Sequence, residues 1–156
     1  MSDQESALGS ALEDQVRLAF EQLGRSIAGL GVDELNAAPA PETSSLAVLV
    51  HHSVETARSI LHDVAGDPLP RDRESAFRVA GASEADLRRL LDAWQEEAGP
   101  LFAAALRTDL ARPLTRYREA SAGWWLLQAL AHTREHAGHA ELTRQLVQSD
   151  PGRPDA

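Results

Sequence analysis

The chain contains no cysteine, and each of its 15 basic residues is arginine, with no lysine anywhere. The first absence excludes a disulfide, a cysteine nucleophile and a thiolate metal ligand; the second excludes a lysine Schiff base. Any metal must then be held by histidines and carboxylates, and thiol chemistry needs a thiol from outside. No run of about 20 apolar residues occurs, so no membrane span is expected. A charged, then apolar, then small-residue N-terminus is also missing, which makes the cytoplasm the expected compartment. Positive charge is scarce. Fifteen basic against 24 acidic residues give a net charge of −9, which argues against a nucleic-acid partner, because phosphate binding needs a basic face.

What is present is helical periodicity. The 156 residues suit one domain with one core. Residues 1–5 are expected to be disordered, 6–149 to form the folded body and 150–156 to form a mobile tail. Leu12, Val16, Phe20, Leu23 and Ile27 mark a first helix that ends at the glycines Gly29 and Gly31. Pro39 and Pro41 make 31–45 a connector, with room for one turn at Asp33–Asn36. A second helix is expected from Thr43 or Ser44 to Gly66, its inward arc formed by Leu46, Leu49, Val50, Val54, Ala57, Ile60, Leu61 and Val64. Residues 67–81 read as a loop with at most a short helical turn. Ser83 opens a third helix whose stripe is Leu87, Leu90, Leu91, Trp94, Ala98, Leu101, Phe102 and Ala105, with Gly99–Pro100 expected to kink or interrupt it. Residues 107–121 read as an irregular connection. With no convincing strand, the fold class is all-α, a four-helix bundle whose connections 30–43 and 66–82 are long enough for crossovers.

The fourth helix, Ala122 to Gln148, carries the chemistry. At 100° per residue its inward face is expected to hold Trp125, Ala129, His132, His136, His139, Ala140, Thr143, Leu146 and Val147. Trp124 and Trp125 are read as core, or one of them as a pocket wall. Three imidazoles within eight residues of an apolar face each bring a lone pair that the dry interior must satisfy. Hydrogen bonds in the core are one solution; a shared cation is the other, and the i, i+4 pair His132/His136 has the spacing for it. On the second helix His51 and His62 fall on the far side beside Glu55 and Arg58 and read as solvated. His52 sits at the arc's edge, where it can reach a neighbouring helix.

Three stretches resemble the DinB/YfiT-like superfamily, which includes metal-dependent hydrolases and thiol S-transferases. SLAVLVHHSVETARSIL is similar to the family's second-helix segment, PLPRDRESAF to the Arg-Asp-Arg…Phe stretch that follows it, and HTREHAGHAELTRQL to the fourth-helix HxxxHxG signature. The resemblance implies a four-helix bundle, often dimeric, in which His52, His132 and His136 hold a divalent metal, zinc and nickel being the ions foremost for the family. A variant of the family with Glu in place of one His points to Glu135 as an alternative ligand in an ExxxH register with His139. Thiol-using relatives, the mycothiol-dependent isomerases and bacillithiol transferases among them, imply a low-molecular-weight thiol as a further cofactor.

Three neutral nitrogens on one ion would leave a position open, as in catalytic rather than structural sites, and could bring a bound water or thiol toward a neutral pKa. His139, one turn beyond His136, is the candidate catalytic proton shuttle; its plainer role is a polar residue bonded to a backbone carbonyl or to a dimer partner. Arg71, Arg73, Arg116 and Tyr117 could bind a carboxylated substrate or thiol cofactor, or simply be solvated. The functional expectation is a metal-dependent thiol S-transferase or hydrolase acting on a small electrophile, as a homodimer. The alternative is a non-catalytic metal-binding or stress-related bundle.

Overall fold

The computed structural model describes residues 3–70, 73–116 and 118–149. Its elements in order are α1 (Asp3–Ile27), α2 (Val32–Asn36), α3 (Leu46–Ala65), α4 (Arg73–Phe77), α5 (Glu84–Ala105), β1 (Pro113–Thr115), β2 (Glu119–Ser121) and α6 (Ala122–Gln148). The long helices α1, α3, α5 and α6 form the bundle. All five apolar positions read for the first helix are buried, as are all eight of the α3 arc. On α5, Leu90 and Ala98 are only half-buried and the other six lie in the core. α1 begins at Asp3, so residues 3–5, expected to be disordered, have helical backbone, whereas the 150–156 tail lies outside the described residues.

Helix ends follow the expected chemistry with small shifts. α3 starts one or two residues later than expected, because Ser45, not Thr43 or Ser44, is the N-cap, its Oγ accepting from the Val48 N–H at 3.3 Å. Gly66 closes α3 in a left-handed conformation, φ 88°, that a side chain would disfavour. Ser83 and Asp86 form a reciprocal capping box at the start of α5. Pro100 does not interrupt α5, which runs through it to Ala105. Pro100 is exposed, so the hydrogen bond it removes faces solvent, where water can replace the partner. The connection expected to be irregular contains a short antiparallel hairpin, with Pro113 opposite Ser121, Leu114 opposite Ala120 and Thr115 opposite Glu119.

Three tertiary contacts fix the helix directions. Arg144, near the end of α6, donates to the carbonyls of Arg25, Ser26 and Ala28 at the end of α1, so these two helices run parallel. Gly29 donates to Glu84, placing the start of α5 beside the end of α1. Thr108, beyond the end of α5, donates to Val64 near the end of α3. Hence α3 and α5 also run parallel, opposite to α1 and α6. Of the two long connections, only 66–83 is a crossover. It must travel back along the whole bundle, and α4 lies on this return path, packed against α3. The other, 28–45, joins neighbouring helix ends, with α2 held by the buried Leu35 and by Asn36, whose side chain bonds both backbone groups of Ala82.

A candidate metal centre at the α3/α6 seam

α6 meets α3 and α1 along a narrow strip of small side chains. Its buried residues are Ala122, Trp125, Leu126, Ala129, Thr133, Ala137, Ala140 and Thr143. Relative to the expected face the strip is turned: His132 and His136 lie at its edge, half-buried, while His139 and Leu146 are exposed. Thr133 is tolerated at full burial because its hydroxyl donates to the Ala129 carbonyl at 2.8 Å. Four alanines and no large β-branched residue let the α6 backbone approach α3 closely, and this closeness brings histidines of the two helices together.

His52 projects from α3 into that seam and is 8% exposed. Its ring centroid is 5.0 Å from those of both His132 and His136, which are 4.3 Å from each other. One ring nitrogen from each of the three residues can be chosen so that all lie within 4.8 Å of one another. The Nε2 atoms of His132 and His136 are 3.1 Å apart. Two nitrogens bound at about 2.05 Å to one tetrahedral ion would sit about 3.3 Å apart, so the spacing fits a shared cation. It also fits a hydrogen bond between neutral rings, in which only one of the two can donate. Burial, together with the neighbouring His139, holds the His136 pKa below its ordinary value, against a smaller opposing pull from Glu135, so its unprotonated, ligand-competent form is favoured. The donor set therefore suits a borderline divalent ion such as zinc or nickel.

Phe77, from α4 on the crossover, stacks over His52 with centroids 4.7 Å apart. In the sequence this phenylalanine is only one residue of the PLPRDRESAF stretch; in the fold it covers one side of His52 while remaining 47% exposed itself. Beside His136 a cavity of about 320 Å³ opens, lined by His136, His139, Leu49, Leu142, Leu146 and the connector residues 39 and 42–44 among others. Two larger hollows, of about 430 and 410 Å³, lie between α1 and α5 and touch no histidine.

His139 lines the cavity, 5.6 Å from the His136 ring, but neither it nor Glu135 joins the three-nitrogen group; both are exposed. His51 is half-buried rather than solvated, and burial lowers its pKa, with Glu55 pulling the other way. His62 is also not solvated. Its ring, 15% exposed, meets Glu97 and the Asp67 carbonyl at 3.1 Å each. Arg116 is not a free anion site: 7% exposed, it pairs with Asp63, donates to the Ser59 carbonyl and hydroxyl and stacks on Trp125. Trp125 is core and Trp124 half-buried beneath Arg118. Arg71, Tyr117 and the Arg73 side chain lie outside the described residues. No described helix is long and apolar enough to cross a membrane.

Among solved structures, a conserved protein from Enterococcus faecalis superposes with a TM-score of 0.71 at 20% identity, over 90% of this chain and 97% of that one. A DinB-like protein from Bacillus cereus ATCC 10987 superposes with a TM-score of 0.61 at 16% identity, over 87% and 91%. No functionally curated protein matches the chain. The profile of the DinB superfamily matches residues 14–140, a span that contains all four long helices in whole or in large part and the three converging histidines, and the chain belongs to that superfamily.

Proposed function

We propose that the protein holds a divalent metal, zinc or nickel, through His52, His132 and His136 and acts as a thiol S-transferase or hydrolase on a small electrophile. The observation that carries this reading is the convergence of three imidazole nitrogens from two helices, within 4.8 Å, beside an open cavity. When bound, such an ion supplies Lewis-acid polarisation of a sulfur or oxygen. The chain's own contributions are distinct. Phe77 excludes water from one side of His52, and the cavity walls Leu49, Leu142 and Leu146 take the apolar body of a substrate. His139, exposed at the cavity's edge, exchanges protons between the cavity and bulk solvent. With no cysteine in the chain, a low-molecular-weight thiol comes from outside.

The test pairs metal binding with turnover. Calorimetric zinc and nickel titrations are expected to give one site per chain, lost in His136→Ala with the fold retained by circular dichroism. Metal-loaded protein is then screened with small thiols and electrophiles. A second reading, a metal-holding bundle without turnover, has one observation in its favour. Nδ1 of His136 is buried without a hydrogen-bond partner among the described residues, whereas catalytic metal sites usually anchor that atom. Stoichiometric metal without thiol conjugation or hydrolysis would select it. The working state is proposed to be a homodimer, supported by the exposed leucines Leu8, Leu18 and Leu127 on α1 and α6; sedimentation at a monomer's mass would refute that.

A further inference from the structure

The connector before α3 contains the one non-glycine residue with a left-handed backbone among those described. Glu42 has φ 64°. It occupies the third position of the turn Ala40-Pro41-Glu42-Thr43, closed by a hydrogen bond from the Thr43 N–H to the Ala40 carbonyl at 3.2 Å. Proline at the second position fixes a negative φ there, so a positive φ at the third makes this a type II turn. That third position is normally glycine or asparagine, because a branched-off Cβ meets the backbone in this conformation. Thr43 locks the turn further: its hydroxyl bonds both the carbonyl and the N–H of Ala40. A strained glutamate, held by surrounding bonds, is a reason to ask what its carboxylate faces.

Glu42 is one of the residues that line the cavity beside His136 and His139. Of the residues lining that cavity, Glu42 alone carries a fixed charge; no arginine is among them, and the rest are His136, His139, small hydroxyls and the apolar walls. Arg144, which follows the cavity residue Thr143 on α6, is committed to the carbonyls that end α1. We infer that the strained turn presents Glu42 as a specificity-determining carboxylate, and that the cavity takes a small molecule with an apolar body and a cationic, ammonium-type end. Resting on the reading of the histidine group as the functional site, this assigns the ligand's two ends: the reacting end toward His136 and the ammonium toward Glu42. Because the carboxylate is exposed, its attraction is modest, worth about a three- to fivefold preference at low salt and less at high salt.

The experiment uses three matched probes, benzylamine, benzyl alcohol and benzoate, titrated into the full chain at low salt with the amides around Thr143 and Leu146 followed by NMR. Wild type is expected to bind benzylamine about three- to fivefold more tightly than benzyl alcohol, and benzoate most weakly of the three. Glu42→Gln is expected to abolish the preference at an unchanged melting temperature. Glu42→Asn, better suited to the left-handed turn, is expected to lose the preference while melting about 2 °C higher. Equal affinities in wild type, or a preference surviving in Glu42→Gln, would overturn the assignment, and a lower melting temperature for Glu42→Asn would overturn the strained placement. Zinc titration of the same samples separates the two readings. Zinc binding without probe discrimination removes only the Glu42 proposal; discrimination without zinc binding supports it and removes the metal reading.

Discussion

The α3/α6 seam has two ends built from the same kinds of material and put to different use. At one end a buried guanidinium, Arg116, is enclosed by protein partners: the Asp63 carboxylate, the carbonyl and hydroxyl of Ser59 and the face of Trp125. Two turns away along each helix, three imidazoles face one another, with Phe77 against His52 and an open cavity beside His136. The first end has a counter-charge for its buried charge. The second gathers three imidazole nitrogens within 4.8 Å of one another, a set suited to share one cation. A buried charge that the chain pairs with its own counter-charge serves the fold, whereas nitrogens that converge beside a cavity suit a cation brought from outside.

Substitutions at the two ends should therefore differ most in stability. Asp63→Ala, which strands the Arg116 charge, is expected to cost about 3 kcal/mol in urea unfolding, whereas His132→Ala in metal-free protein is expected to cost less than about 1 kcal/mol. Equal costs would erase the contrast. Next in size, zinc at a hundredfold excess over its dissociation constant should stabilise the wild type by about 2.7 kcal/mol. That gain should vanish in His52→Ala and His136→Ala and survive in His51→Ala, whose ring is on the neighbouring position but outside the converging group. If His51→Ala also loses it, the choice between the two adjacent histidines is wrong.

A pH series sharpens the same contrast. The His136 and His51 pKa values lie below their ordinary value in the fold, chiefly through burial, so the unfolded chain takes up protons first as pH falls. Metal-free stability should accordingly decline from about pH 6.5 downward until the lower folded-state values are passed. The zinc-induced rise in melting temperature should shrink over the same window, because protonated imidazole cannot ligate. A zinc shift equal at pH 7.5 and 5 would count against histidine ligation. The smallest effect is expected from Phe77→Ala: half-exposed, the ring should contribute under about 1 kcal/mol to stability. Its removal should instead show as faster deuterium exchange in the α3 backbone around His52.

Why some elements were legible and others were not follows from their side chains. α1 and α3 carry large aliphatic residues at helical spacing, and every position of those two stripes that the periodicity marks is buried. On α6 the buried strip is mostly alanine and threonine, while Leu146, expected on the inward face, stands outside it; a pattern weighted by side-chain size turns the expected face toward that leucine. His139 was drawn inward by that same error. His62, expected to be solvated, and Arg116, expected to bind an anion or be solvated, are instead paired with Glu97 on α5 and Asp63 on α3, partners too remote in sequence for local periodicity to reveal. Of the two outcomes expected at Gly99–Pro100, interruption does not occur, because a proline on an exposed helix face removes only a hydrogen bond that water can replace.

The amino-acid sequence by itself determined the helical class, the stripes of α1, α3 and α5, the caps at Gly66 and Ser83, and the i, i+4 spacing of His132 and His136. These are consequences of local periodicity and of backbone preferences acting within a few residues. Only the tertiary structure decided that α3 and α6 approach closely enough to bring His52 to that pair, that the crossover lays Phe77 over it, and that Glu42 borders the cavity. Each of those depends on which helices pack together and in which direction, and packing sums many weak contacts between residues far apart in the chain.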